Sequence, residues 1–200
     1  MLAGACALLV AIAAGCGGGE RQDANEPEGS FEVEVVDASF PERQRLAQTS
    51  DLAITVRNDA DETIPDVAVT LRGLTERSEN ANLSDPNRPV FVINGRPAEI
   101  GGYQEVKLDA PDGGPTALVD TWTLGELEPG DEKTFRWRVT PVRPGPYEVT
   151  YAVAAGLDGN AKAVTVGGGP PRGAFQGTVT AAAPQTRVAD DGRGVVTPAP

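Results

Sequence analysis

The sequence predicts an all-β fold, an antiparallel β-sandwich of about seven to nine strands. Three observations predict it. Between about residues 31 and 166, apolar and polar residues alternate with a period of two in one segment after another. Valine outnumbers leucine, and β-branched side chains suit a pleated, half-buried surface. Glycine and proline, 24 and 17 of the 200 residues, gather with Asn and Asp into short clusters between those segments. No window of a dozen residues carries a sustained apolar stripe at helical spacing, so helix is expected to be nearly absent.

The elements follow in order. Residues 1–15 carry no charge and are almost all apolar or small; the run is too short to span a bilayer but fits the apolar region of a secretory signal. Its end, Ala13-Ala14-Gly15-Cys16, resembles the bacterial lipobox, in which small residues precede a cysteine whose thiol accepts a diacylglyceryl group. The resemblance implies that Cys16 is lipidated and becomes the mature N-terminus, while Cys6 is a small apolar member of the signal. Residues 16–30 then have no periodic apolar positions and hold Glu20, Asp23, Glu26 and Glu28 against Arg21. They read as a flexible tether.

The alternation begins with Phe31, Val33 and Val35. It recurs in Leu52, Ile54 and Val56, in Val67, Val69 and Leu71, in Phe135, Trp137 and Val139, and in Tyr147, Val149, Tyr151 and Val153. Further strands are expected at residues 89–93, 104–108, 117–124 and 161–166. Such segments have one apolar and one polar face, as antiparallel sheets with a solvated side require. Turn signals separate them, among them Asn58-Asp59, Asn94-Gly95, Pro129-Gly130 and Pro144-Gly145. Residues 72–88 break the pattern with a long polar stretch, either a binding loop or a tolerated insertion. Residues 167–200 open with Gly and Pro; 175–180 can make a strand and 187–197 a short hairpin, but with Phe175 as its one large apolar residue this tail builds no core of its own: it either docks onto the sandwich as a hairpin or, the expectation preferred, stays largely irregular and loose.

Composition excludes much chemistry. There is no histidine, so a Ser-His-Asp or Cys-His mechanism is out of reach and the commonest nitrogen ligand for transition metals is missing. Both cysteines lie in the first sixteen residues, which leaves the sandwich no disulfide. A net charge of -12 disfavours nucleic acid and anionic lipid as partners. Asp59, Asp61 and Glu62, and likewise Asp109 and Asp112, crowd turns in the way calcium loops do, but their spacing matches no known calcium repeat and solvated turn acids are the stronger reading. Many acids and no motif that selects two leave a carboxylate-based hydrolase as the weakest option. Asn82-Leu83-Ser84 is a three-residue sequon of little weight. Arg136 and Arg138 lie on the polar face of their strand, where acids such as Glu148 on a neighbouring strand are expected to pair with them.

Two stretches carry a family resemblance. Residues 122–139 with 144–151, and residues 52–69, resemble bacterial cell-adhesion-related (CARDB-like) modules of immunoglobulin-like fold, and the likeness spans roughly residues 31–166. Tyr147, two residues before Val149, is similar to the tyrosine corner of immunoglobulin domains. The resemblance implies a spacer, adhesion or display role and carries no catalytic residues. The expectation is therefore a non-enzymatic bacterial lipoprotein, anchored by the Cys16 lipid on the extracytoplasmic face of the cell membrane. It would engage a protein or polysaccharide, without cofactor, metal or nucleic acid, for adhesion or as an accessory of the envelope. The alternative is a ligand-binding or chaperone-like envelope lipoprotein whose site is the 72–88 loop.

Overall fold

The computed structural model describes residues 26–77, 88–94, 116 and 118–183, together with the short strands at 187–188 and 195–196. Its strands are β1 (Gly29–Ser39), β2 (Arg43–Arg45), β3 (Ser50–Asn58), β4 (Ala68–Arg72), β5 (Phe91–Ile93), β6 (Thr121–Thr123), β7 (Glu132–Pro141), β8 (Gly145–Ala154), β9 (Ala161–Val164), β10 (Arg172–Thr180), β11 (Arg187–Val188) and β12 (Val195–Val196). No helix occurs among the described residues. Two five-stranded sheets, in the orders β5-β7-β3-β1-β9 and β2-β10-β8-β4-β6, pack as an immunoglobulin-like sandwich, and β11 and β12 pair separately.

The period-two pattern places the core. Val33, Leu52, Ile54, Val56, Val69, Leu71, Phe135, Val139 and Val149 are buried and face the opposite sheet, while Glu34, Arg57, Arg136, Arg138 and Glu148 on the same strands stay in water. The alternation slips once, between Val35 and Asp37, where a bulge in the β1–β3 pairing turns Val36 outwards to 43% exposure.

Both sheets are mixed rather than antiparallel throughout. β1 runs parallel to β9 and β2 parallel to β10, and the chain changes sheet at every connection from β1 to β10, odd strands in one sheet and even strands in the other. The expected strands at 31–35, 52–56, 67–71, 89–93, 117–124, 135–139, 147–153 and 161–166 are present as β1, β3, β4, β5, β6, β7, β8 and β9; the one at 104–108 lies outside the described residues.

The expected loose tail needs correction. Residues 172–180 form β10, paired with β8 from Arg172 opposite Ala152 to Val179 opposite Gly145. Its inward positions are Gly173, Phe175, Gly177 and Val179, so half of the apolar signal is missing from its own sequence. Aromatic rings from β8 fill the gaps: a Cβ on Gly177 would stand 2.2 Å from the Glu42 carbonyl oxygen and 2.5 Å from the Tyr147 hydroxyl, and one on Gly173 2.5 Å from the Tyr151 hydroxyl. Tyr147 also departs from the tyrosine corner. Its hydroxyl donates to the Pro41 carbonyl, 106 residues upstream at the crossing between sheets, and receives Gln44 Nε2 at 3.4 Å.

The other end of the sandwich is closed by Asn58, which is fully buried. Its Nδ2 donates to the carbonyls of Glu62 at 2.9 Å and Leu127 at 2.8 Å, and its Oδ1 accepts the Ala60 amide at 2.9 Å. A buried amide that meets its partners is cheap to hold and costly to remove. Lys133 finishes the same loop cluster, with Nζ donating to the carbonyls of Leu124 at 2.7 Å and Glu126 at 2.6 Å.

Two outcomes follow. Asn58→Ala removes three hydrogen bonds to backbone groups, of which the Leu127 carbonyl keeps the Ile64 amide, and lowers stability by about 2–3 kcal/mol, whereas Thr55→Ala on the outer face changes it by less than about 0.5 kcal/mol; urea unfolding midpoints check both. Gly177→Ala destabilises by about 1–3 kcal/mol through overpacking, while Gly169→Ala, where a Cβ meets nothing within 4 Å, leaves the thermal midpoint in place.

Candidate functional site

Two local constructions stand out beyond the core. The first holds the segment entering β1. Glu26 reaches the turn between β8 and β9, where Oε2 accepts the amides of Leu157 at 2.6 Å and Asp158 at 2.7 Å and Oε1 accepts Ala161 at 2.7 Å. Successive amides in a tight turn make an anion-binding nest, and here a carboxylate of the same chain fills it. Gly156 makes the approach possible, since a Cβ there would stand 2.2 Å from the Glu26 carboxyl carbon. Burial pushes the Glu26 carboxyl up, but the backbone hydrogen bonds together outweigh it and hold the group below its ordinary 4.5. Asp66 nearby moves the other way, raised above 3.8 first by burial and further by the charge of Glu26, against the opposing pull of the Gly125 amide and Lys133.

The second construction is a solvent-open trough of about 570 Å³ on the outer face of the β2-β10-β8-β4-β6 sheet. Its lining comes from three adjacent strands: Thr70 and Arg72 on β4, Thr150 and Ala152 on β8, and Arg172 and Ala174 on β10. Arg72 lies on the row of Thr150 and Arg172 on the row of Ala152, so the two Cα atoms stand roughly 12 Å apart across β8. Small side chains form the floor and the arginines its two corners. Both arginines are exposed, and neither has a carboxylate partner among the described residues. On the next row Glu148 is already held by Gln176, whose Nε2 donates to it at 2.9 Å.

Charge is distributed unevenly along the sandwich. Glu26, Glu28, Asp59, Asp61, Glu62, Glu126, Glu128, Asp131 and Asp158 collect at the end where β1 begins and β8 finishes, as the strand registers place them. Arg43, Arg45, Arg77, Arg88, Arg138 and Arg143 lie towards the opposite end, where Glu42, Asp51, Glu76 and Asp120 offset part of their charge. Arg72, the last residue of β4, stands opposite Thr150 near the middle of β8.

Several expected site residues find other places. Arg136 and Arg138 do not meet Glu148, because β7 and β8 belong to different sheets; Arg138 stands opposite Asp51 and Arg136 opposite Ala53, with no ion pair to either among the described residues. The ion pairs on that outer face belong to Arg57, which binds Glu34, Asp59 with Nε at 2.6 Å and Glu132 with Nη1 at 3.7 Å. Asp59 of the acidic turn is therefore engaged by a guanidinium, and among the described residues no group of three or more His, Cys, Asp or Glu is placed to hold a metal ion. The feet of the 72–88 loop are joined by a bridge between Arg77 and Pro89. Cys6, Cys16, Asn82, Ser84, Asp109 and Asp112 lie outside the described residues.

Sequence reasoning missed the trough and the clasp. Arg72 is visible as the polar end of its strand, but Arg172 sits beyond a Gly-Pro linker, and only the return of β10 brings it beside β8. Glu26 looked like one tether acid among four.

No protein-family model matches the chain, and no curated protein matches it. Among solved structures it is similar to a CARDB domain from Pyrococcus furiosus, crystallised in complex with di-metal ions, at 17% identity over 78% of this chain and 94% of that one, with a TM-score of 0.44. A human ASH/PapD-like domain is similar at 15% identity over 90% and 98% of the two chains, with a TM-score of 0.40. Salmonella alpha-2-macroglobulin is similar at 16% identity with a TM-score of 0.40, over 78% of this chain but 7% of that much longer one. Likeness at this level concerns the sandwich fold and stops there.

The clasp has a pH signature. A carboxyl held below its ordinary pKa contributes stability that is fully present above that ordinary value and is lost as the pH falls through the lowered one. Asp66, raised by burial, contributes in the opposite sense, with stability present below 3.8 that is lost as the pH rises through its higher value. Glu26→Gln is expected to lower stability by about 1–2 kcal/mol near neutrality, and the gap from the unsubstituted chain closes in acid below the Glu26 pKa. Gly156→Ala, which expels the carboxylate, gives a similar loss and does not add to it. Urea titrations of both single variants and the double variant across pH measure this.

Proposed function

We propose that this chain is a non-enzymatic lipoprotein of the bacterial cell envelope, anchored through Cys16 on the extracytoplasmic face of the cell membrane, and that its sandwich is an interaction module for a protein or polysaccharide in an adhesive or accessory role. The observation that carries the reading is the Glu26 clasp. A purely passive tether needs no fixed point on the domain, yet here the chain is gripped by backbone amides immediately before it enters β1. Ten peptide steps separate Cys16 from Glu26, a reach of at most about 35 Å when fully extended. A lipid on Cys16 would hold the clasped end towards the membrane and turn the opposite end outwards.

Charge agrees with that orientation. The clasped end is acidic and would be repelled by an anionic leaflet, keeping the module off the bilayer, while the arginine-rich end and the feet of the 72–88 loop would face away from it. The alternative, in which the 72–88 loop forms the site of a ligand-binding or chaperone-like lipoprotein, shares this orientation, since the Arg77–Pro89 bridge ties the feet of that loop at the end opposite the clasp.

Expressed in a bacterial host, the chain is expected to fractionate with membranes and to yield a diacylated N-terminal Cys16 by mass spectrometry. Cys16→Ser moves it to the soluble fraction. An unmodified Cys16 or an intact Met1 in the mature protein would overturn the anchoring.

A further inference from the structure

We infer that the trough between Arg72 and Arg172 is a binding site for an acidic polysaccharide, a chain of uronate-type sugars lying across the sheet face. The inference rests on the reading of the sandwich as an interaction module and names the partner chemistry of one of its faces.

The trough selects by charge first. In a chain of net charge -12 it brings together two arginines that no described carboxylate neutralises. A guanidinium offers a planar fork that fits a carboxylate with two parallel hydrogen bonds, so two forks at opposite corners suit a ligand bearing carboxylates at intervals along its length. The two guanidiniums give the trough a local positive field that would steer such a polymer towards it.

The floor selects between polymers. β8 lies between β4 and β10, so its backbone hydrogen bonds are used within the sheet and an acidic peptide cannot add itself here as a strand. Recognition must come from side chains that point out of the sheet. Thr70 and Thr150 present hydroxyls that donate and accept, the complement of sugar hydroxyls, although Thr70 already shares a hydrogen bond with Thr121 at 2.9 Å. Ala152 and Ala174 leave the floor low enough for a flat ring to lie against it. A stiff glycan loses less conformational freedom on binding a shallow surface than a flexible peptide does, and with few contacts available that difference decides which polymer is held. Salt would weaken the complex, because carboxylates and guanidiniums pair in water-exposed surroundings.

The test uses the full chain carrying Cys16→Ser, so that failure of the lipid anchor leaves it unaffected. Binding is measured by calorimetry with polygalacturonate as probe, uncharged dextran as neutral control and poly-glutamate as acidic peptide. Binding of polygalacturonate that weakens as salt is raised, falls at least tenfold in Arg72→Gln/Arg172→Gln and persists in Arg136→Gln/Arg138→Gln on the opposite sheet supports the site. Equal loss in both double variants would reveal diffuse electrostatics, and poly-glutamate binding as tightly as polygalacturonate would reveal a peptide site; either overturns the inference, as does the absence of polygalacturonate binding. Thermal midpoints of the variants confirm that each is folded, which exposed arginines away from the core permit.

Discussion

Two sheets joined by no disulfide must be held by what lies between them, and here aromatic rings do it. Phe40, at the point where the chain leaves β1 for the other sheet, has ring centroids 5.2 Å from Phe91 on β5, 5.5 Å from Tyr147 on β8 and 5.9 Å from Phe175 on β10. Phe91 and Tyr147 meet edge to face at 5.1 Å, and Trp122 on β6 meets Trp137 on β7 in the same manner at 5.4 Å. Such contacts contribute about 0.5–1.5 kcal/mol each beyond the area they bury. Several together match the stabilisation typical of a disulfide, about 2–4 kcal/mol. Position matters as much as magnitude: these rings sit at the crossing, so the sheet order beyond Phe40 depends on their being packed.

The same packing explains what could be read from sequence. Strands whose inward residues are large announced themselves, as Leu52, Ile54 and Val56 or Phe135, Trp137 and Val139 show. β10 did not, because Gly173 and Gly177 face inwards beneath Tyr151 and Tyr147, and their apolar complement is written on another strand. β2 is three residues long and takes its place from pairing with β10, a relation no local pattern contains. The parallel pairs belong to the same class of long-range fact. Arg136 and Arg138 were legible as exposed arginines, but their neighbours were not, since two strands adjacent in sequence went to different sheets.

Sites were legible only as residue types. Asn58 appeared as a turn former and proved to be a buried junction of two loops, its amide satisfied by groups up to 69 residues away. Glu26 and Arg172 lay outside the segment of clear alternation, and each gains its meaning from a partner more than a hundred residues distant or from a strand on the far side of the sheet. The net charge, read as a single number, concealed a division between an acidic end and a basic one. That division, rather than the total, bears on which surface a charged partner meets.

The pairing of β1 has a mechanical side. Its first residues run alongside β9 while the remainder run alongside β3, so the two neighbours hold it in succession along its length. A pull on the N-terminus directed along β1 would have to slide it past both neighbours, which strains many hydrogen bonds together instead of peeling them one by one. Glu26 adds an outer catch that must open before that force reaches Gly29. The entry of the chain into its sandwich is thus built in shear, the arrangement in which a small domain resists tension best.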